Sequence, residues 1–282
     1  MKKYLLYNHL ANNGNCLAKA EELKAAIGDC ELKDVVGLDM HGFIASLAED
    51  DEIHLCGGDG TVNHFANDVA DIDLKQNVYL YEGGTGNDFM NDVKDKVENG
   101  RLLLNPYLKN LPKVFVNGIE KRFINGIGYG LDGMCCQVAD DQIAKGKKKI
   151  NYTNIAVKLL LIDYKPKKAT VTVDGVTKIH EYVWILPTMK GRYYGGGMMI
   201  APDQDRLDPS GKVTVVVFKN KGRLKVLMNF SKVFTGEHVK LTDMIEIVTG
   251  NEVTVEYDEP TALQIDGETV RNVKKYTVTT KA

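Results

Sequence analysis

Ile53-His54-Leu55-Cys56-Gly57-Gly58-Asp59-Gly60-Thr61 joins an apolar run to a glycine-rich turn, and Val62, Phe65, Ala66 and Val69 continue it at helical spacing. The order is strand, turn, helix. Glycines carry no Cβ, so their backbone can approach a ligand. A helix starting near Thr61 adds unpaired N–H groups and the positive end of its dipole, which suits the turn to phosphate. A second turn of this kind, Gly83-Gly84-Thr85-Gly86-Asn87-Asp88-Phe89, follows the strand-like residues 78–81. Open α/β sheets bind ligands at the carboxyl ends of their strands, and two such loops imply a nucleotide.

Working outward, short apolar runs at 4–7, 32–36, 53–56 and 78–81 alternate with helical patterns, one of them Leu17, Ala20, Leu23 and Ile27. Repeated βαβ units of this kind predict a parallel sheet covered by helices. Beyond Pro112 the texture becomes β-rich, with Asn117-Gly118 and Asp174-Gly175 each set between strand-like runs as hairpin turns. Further strands are expected at 213–218, 244–248, 253–257, 262–265 and 276–280, with helix only within 137–163. The expected fold is α/β plus all-β. An α/β nucleotide-binding domain spans 1–110, a β-sandwich lobe spans 111–282, and the active site falls in the cleft between them.

The 282 residues include 36 basic and 38 acidic side chains, a net charge of −2, which gives no general attraction to nucleic acid or to an anionic membrane. The five cysteines (Cys16, Cys30, Cys56, Cys135, Cys136) have no C-x-x-C spacing, which fits a reducing cytosol. No apolar run reaches transmembrane length. The expected location is cytoplasmic, with at most peripheral contact at the inner face of the membrane.

Further motifs complete a pattern: residues 125–133 (NGIGYGLDG), residues 194–203 (YGGGMMIAPD) and Asp266-Gly267-Glu268 follow GGDGT at 57–61, Val62-Asn63 and GGTGNDF at 83–89. In order and spacing, across nearly the whole chain, these resemble the diacylglycerol kinase catalytic-domain family, which includes bacterial lipid kinases, sphingosine kinases and ceramide kinases. The resemblance implies ATP in a cleft between an α/β lobe and a β-sandwich lobe, and a general base on Asp266-Gly267-Glu268, with Asp266 and Glu268 left as a pair. It also places Asn8 and Asn63 among the nucleotide-binding residues.

Phosphoryl transfer to an alcohol needs its negative charge cradled, a divalent cation, and a carboxylate near the acceptor hydroxyl. The amides of Gly57, Gly58 and Gly60 with the Thr61 hydroxyl are candidates for the cradle, and Thr85 and Asn87 for the same nucleotide. No Walker lysine motif occurs. Asp59 and Asp88 are candidate Mg²⁺ ligands, because that ion prefers oxygen donors and keeps part of its water. On an extended strand Asp266 and Glu268 would share a face, unless Gly267 makes a turn. A type I′ hairpin turn is the competing structural reading of Asp266-Gly267. Tyr194-Gly195-Gly196-Gly197 fits a structural bulge and a cleft wall equally, the lysine run at 145–149 reads as a solvated loop, and His9, His54 and His64 read as packing or loop residues.

The chain departs from the family in three places. The first loop lacks the N-P-x-S-G proline, so only Asn8 carries over. The acidic segment that holds a structural magnesium in bacterial relatives reads Arg206-Leu207-Asp208-Pro209-Ser210-Gly211-Lys212, in which Asp208 is the remaining ligand candidate beside Asp203 and Asp205. Little chain follows Glu268. The reading is an ATP- and Mg²⁺-dependent kinase acting on a hydroxyl of diacylglycerol or a related lipid alcohol, meeting it by transient peripheral membrane contact, without nucleic acid. A homodimer is admitted. The alternatives are a soluble-substrate kinase resembling NAD kinase and a non-catalytic nucleotide- or lipid-binding module.

Overall fold

A computed structural model describes residues 1–10, 16–83, 86–147 and 149–281. The chain divides into two compact units, Met1–Lys109 and Asn110–Ala282.

The first unit runs β1 (Lys3–Tyr7), α1 (Cys16–Ile27), β2 (Glu31–Asp34), α2 (Met40–Ala45), β3 (Glu52–Gly57), α3 (Asp59–Asp68), β4 (Asn77–Glu82), α4 (Asp88–Val93), β5 (Leu102–Leu103) and α5 (Asn105–Leu108). Its sheet has the order β2-β1-β3-β4-β5. The first four strands are parallel and β5 is antiparallel to β4. Leu5, Leu6, Ile53, Leu55, Val78 and Leu80 are fully or almost fully buried, which is why these strands read as near-continuous apolar runs. The chain leaves β1 toward β2 on one side and returns to β3 on the other. Ligands bind open α/β sheets at such a switch point. His54 is buried within β3, stacked on Tyr79 and tilted against Tyr81. Burial lowers its pKa to about 4, so it is a neutral packing residue.

The second unit contains β6 (Lys113–Val116), β7 (Ile119–Arg122), β8 (Gly126–Tyr129), α6 (Leu131–Ala144), α7 (Tyr152–Lys158), β9 (Lys167–Val173), β10 (Val176–Ile185), β11 (Thr188–Met189), β12 (Tyr193–Tyr194) and β13 (Met198–Met199). It continues with β14 (Val213–Lys219), α8 (Arg223–Phe230), β15 (Ile245–Gly250), β16 (Glu252–Ile265) and β17 (Glu268–Thr279). A π-helical turn, Leu159–Asp163, extends α7. The large sheet runs β7-β6-β17-β16-β8-β11-β14-β10-β9, with β15 on β14. It closes on itself because the first half of β16 pairs with β9 while its second half pairs with β8. Tyr129, Tyr257 and Tyr276 pack inside this closed sheet, the first two stacked at 4.2 Å. Trp184, Ile185 and Phe218 belong to a second core with residues of α6, α7 and α8.

Both expected hairpin turns form: Asn117-Gly118 and Asp174-Gly175 have positive φ at both residues, as a type I′ turn requires. The strands expected at 253–257 and 262–265 are one strand, β16, whose pairing register shifts between Glu256 and Leu263. Helix content exceeds the expectation. α6 starts at Leu131 rather than 137, and α8 forms where the sequence pattern predicts no helix. Gly130 and Gly133 look like turn residues, yet Gly133 lies inside α6, where a Cβ would strike the backbone of Ala262 and Leu263 in β16. Leu224 and Met228 of α8 are exposed, which blurs its apolar stripe.

Candidate functional site

Three candidate segments stand at the carboxyl ends of adjacent strands: Asn8 after β1, Gly58 to Thr61 after β3, and Gly83 with Gly86 to Asp88 after β4. Asn8 accepts the Leu10 N–H at 2.8 Å and so shapes its own turn. α3 starts at Asp59, two residues before Thr61. The N–H groups of its first turn, including those of Gly60 and Thr61, have no partner within the helix, which makes them available to an anion. Asn63 is buried on α3, and its carbonyl accepts from Asn67 Nδ2 at 2.9 Å. Thr85, assigned to the nucleotide from sequence, lies outside the described residues.

The glycines of this loop do different jobs. At Gly58 a Cβ would run into the carbonyl oxygens of Gly86 and, at 2.8 Å, Gly83, so its bareness serves loop-to-loop packing rather than ligand approach. At Gly57 a Cβ would meet the Thr61 side chain. Only Gly60 faces open space. Asp59 ties the two loops together: its oxygens accept the Asp88 and Phe89 N–H groups, both at 2.9 Å, and its own N–H donates to Gly86 O at 2.9 Å. The carboxylate therefore caps α4, while Asp88 is buried beside it. Asn87, before α4, donates from Nδ2 to Glu82 at 3.1 Å.

In the second unit Asp266-Gly267 is a two-residue turn between β16 and β17, with φ of 45° and 93°. The turn, not an extended strand, governs this motif, so the expectation of a shared face fails. The Asp266 carboxylate folds over residues 124–126: Oδ2 accepts the Ile124 N–H at 2.6 Å, and Oδ1 accepts those of Asn125 and Gly126 at 2.9 Å each. Glu268 is exposed and pairs with Lys121 at 2.5 Å.

Residues to which the motifs assign no role gather around the same segment. Buried Arg206 donates to Ile124 O and, at 2.5 Å, to Asn125 Oδ1. The Lys190 and Gly191 amides donate to Asn125 O. The Lys190 side chain is buried, and burial, aided by Arg206, lowers its pKa. Asp132, in the first turn of α6, has both oxygens buried without a hydrogen-bond partner. Burial raises its pKa to about 6, and the nearby Tyr194 hydroxyl offsets this only in part. A Cβ on Gly128 would touch Asp132 and Gln264, and the Gln264 Oε1 accepts Gly267 N–H at 2.6 Å. Asp132 and Asp266 thus approach β8 at Gly128 and Gly126. Asp132 stands in the 125–133 motif and Arg206 opens the 206–212 segment, but no local spacing joins either of them to Asp266, and the sequence assigns neither a role.

The segment around Asp208 is an Asx turn. Asp208 accepts from Ser210 N at 2.9 Å and Oγ at 2.6 Å, which holds its carboxyl below the usual carboxylate range, and Asp205 accepts from Leu207 N. Among the described residues no three His, Cys, Asp or Glu side chains gather to hold a metal ion. Tyr194-Gly195-Gly196-Gly197 is a turn rather than a bulge: its three glycines, all with positive φ, reverse the chain between β12 and β13.

Residues 3–110 match the diacylglycerol kinase catalytic domain, and residues 125–279, more than half of the chain, match the YegS C-terminal NAD kinase beta sandwich-like domain. The chain belongs to the diacylglycerol kinase catalytic-domain family. It is a phosphotransferase with an alcohol acceptor. Among its relatives is a protein of Staphylococcus carnosus (strain TM300) named "Putative lipid kinase", 27% identical over 281 residues, 94% of this chain and 89% of that protein. A "Diacylglycerol kinase" of Mycobacterium tuberculosis (strain ATCC 25618 / H37Rv) is 25% identical over 253 residues, 85% of this chain and 80% of that one. The crystal structure of a "putative diacylglycerol kinase" from Bacillus anthracis str. Sterne shares the fold at a TM-score of 0.69 and 20% identity, covering 99% of this chain and 91% of that chain.

Proposed function

We propose that the protein transfers the γ-phosphoryl group of ATP, with Mg²⁺, to a hydroxyl of diacylglycerol or a related lipid alcohol. The observation that carries this reading is the joined pair of glycine loops at the carboxyl ends of β3 and β4, beside a topological switch point. Phosphate oxygens would meet the first-turn amides of α3, with Gly60 as the point of close approach. Asn8, Thr61, Asn63, Thr85 and Asn87 complete the proposed nucleotide set.

For Mg²⁺, Asp59 and Asp88 fit in part. Each Asp59 oxygen has spent one acceptor position on a backbone N–H and retains another. Two carboxylates are enough for an ion that takes its other ligands from phosphates and water, and it would supply charge neutralisation at the transferred group. Asp208 belongs to the other unit, and its oxygens serve Ser210, so it remains the weaker member of the proposed metal set.

Asp266 is the proposed base. Its carboxylate is held by the Ile124, Asn125 and Gly126 amides, which would fix its position for a proton transfer. Lys190 and Arg206 bring positive charge to the same segment. Asp132 is the second reading for the base, favoured by its two unpartnered oxygens. The protein would act in the cytoplasm, peripheral to the membrane. Among the described residues no helix is long and apolar enough to cross a membrane.

Phosphoryl transfer from γ-labelled ATP should be screened over detergent-dispersed diacylglycerol, a sphingoid base and NAD. Label in the diglyceride is expected. Label in NAD alone would replace the lipid reading, and label in none, with MgATP bound, would leave a binding module.

A further inference from the structure

Asn125, just before β8, has all but one of its polar atoms committed within the second unit. Its N–H donates to Asp266 Oδ1 at 2.9 Å, its carbonyl accepts the Lys190 and Gly191 amides at 2.9 and 3.0 Å, and its side-chain oxygen accepts from Arg206. What remains is Nδ2, which donates to no partner among the described residues. Arg206 also fixes which end of the carboxamide is which. A guanidinium has only donors, so the oxygen must face it and the NH₂ group must face away.

Asn125 is 3% exposed, yet its Nδ2 is not sealed from solvent as the Asp132 oxygens are. Nearly buried donors are rarely left without an acceptor in native proteins, because an unmade hydrogen bond costs the full desolvation of the group. Here the donor is aimed by contacts on three sides and then left for something outside the protein. Its position narrows what that is. Nδ2 belongs to the residue whose N–H bonds the proposed base, so it lies within roughly 8 Å of the Asp266 carboxylate, one hydrogen bond plus the length of an Asn side chain.

We propose that Asn125 is a specificity-determining residue for the acceptor, its Nδ2 donating to an oxygen carried by the carbon next to the acceptor hydroxyl. The substrate class is then an alcohol with an oxygen substituent on the neighbouring carbon, as 1,2-diacylglycerol has in its ester at the second carbon. A sphingoid base is the instructive contrast. It carries an ammonium at that carbon, so a donor would meet a donor. This role deepens the lipid-kinase reading and rests on it, and on Asp266 as the base.

The test is kcat/KM for 1,2-diacylglycerol and for a sphingoid base, each dispersed in neutral detergent, in the wild type, Asn125→Asp and Asn125→Thr. Aspartate keeps the oxygen that faces Arg206 and turns the NH₂ group into an acceptor, whereas threonine removes the NH₂ group without adding charge. The wild type should prefer the diglyceride. Asn125→Asp should lose roughly tenfold on the diglyceride and gain roughly tenfold on the sphingoid base, a shift of about 100-fold in their ratio. Asn125→Thr should show the loss without the gain, and it decides the matter if Asn125→Asp does not fold. Both lipids would meet the same base, so any change at Asp266 cancels in the ratio. Urea unfolding and MgATP affinity should stay close to wild type. A folded variant whose ratio stays within twofold of wild type would overturn the assignment and leave Nδ2 to water. Equal loss on both lipids would also overturn it, because Asn125 would then act only as a support for Asp266. A wild type that labels neither lipid would remove the lipid-kinase reading and this role with it, whereas an active wild type with an unmoved ratio in the variants removes this role alone.

Discussion

The Asp59 loop of the first unit and the Asp266 turn of the second solve one physical problem in two ways. Each carboxylate accepts backbone N–H groups from a segment distant in sequence: Asp59 those of Asp88 and Phe89, Asp266 those of Ile124, Asn125 and Gly126. Asp59 does so from the first turn of a helix and caps another helix, so regular structure on both sides shares the work. Asp266 does so from a left-handed turn residue and, with Arg206 and the Lys190 and Gly191 amides, holds an irregular segment between β7 and β8 that no helix supports. A motif aspartate can therefore build the fold and belong to the chemistry at once. The loss on mutation should be larger where less else holds the segment.

The sharpest break in the comparison is Asp266→Asn. The amide can replace Oδ1 as an acceptor, but its NH₂ group would then face the Ile124 N–H, a donor against a donor. We expect a loss of about 1–3 kcal/mol in urea unfolding. Turnover on dispersed diacylglycerol should fall roughly 10²- to 10⁴-fold, with MgATP affinity in calorimetry nearly unchanged. A folded variant with turnover within about twofold of wild type would transfer the base to Asp132.

Gly58→Val and Gly60→Ala separate packing from ligand approach in the other loop. Valine at 58 must displace the carbonyls of Gly83 and Gly86, so it should destabilise the first unit by about 1–3 kcal/mol and weaken MgATP binding as a consequence. Alanine at 60 meets nothing and sits in a helical first turn, so the fold should be unaffected or slightly firmer. Its MgATP affinity should nevertheless drop. Unchanged calorimetric affinity in Gly60→Ala would remove the close approach of phosphate from this loop.

These contrasts also mark what was legible in the sequence. The strand-turn-helix order of 53–61 and the turns at 117–118 and 174–175 are written locally, since apolar period and the two-residue Asn-Gly or Asp-Gly chemistry act over a few residues. The partners of Asp266 lie 140 to 142 positions away, and Arg206 reaches them across 82 and 81 positions, so no spacing could announce either contact. Closure of the large sheet was hidden for the same reason: half of β16 pairs with β9 and half with β8. α8 was missed because Leu224 and Met228 stand on its exposed side.

Asp132 extends the comparison to a carboxylate whose pKa burial governs more than its neighbouring donors do. Because burial raises its folded pKa from the ordinary 3.8 to about 6, the native state binds this proton more tightly than the unfolded chain. Its contribution to stability is fully present below about pH 4 and is lost as pH rises to about 6. Asp132→Asn should therefore be more stable than wild type by about 2 kcal/mol at pH 7.5, with the difference vanishing near pH 4. Thermal unfolding over that range tests the sign. A variant that is less stable at pH 7.5 would mean that the carboxylate has a cationic or metal partner when folded.

The smallest expected effect belongs to Glu268, and it decides how the Asp-Gly-Glu motif is divided. Glu268 is about half exposed and pairs with Lys121 of β7. An exposed pair of this kind is worth roughly 0–1 kcal/mol, because water screens it and both side chains lose freedom. Glu268→Gln should cost no more than that in urea unfolding and should leave turnover within a few-fold of wild type. If Glu268 were the base, the same substitution would keep stability and nucleotide affinity but cut turnover roughly 10²-fold or more. Lys121→Met separates the remaining case, in which the pair merely positions the turn. It should then reproduce the Glu268→Gln turnover, whereas a catalytic Glu268 freed from Lys121 would keep its proton-accepting role and shift the pH profile of turnover instead.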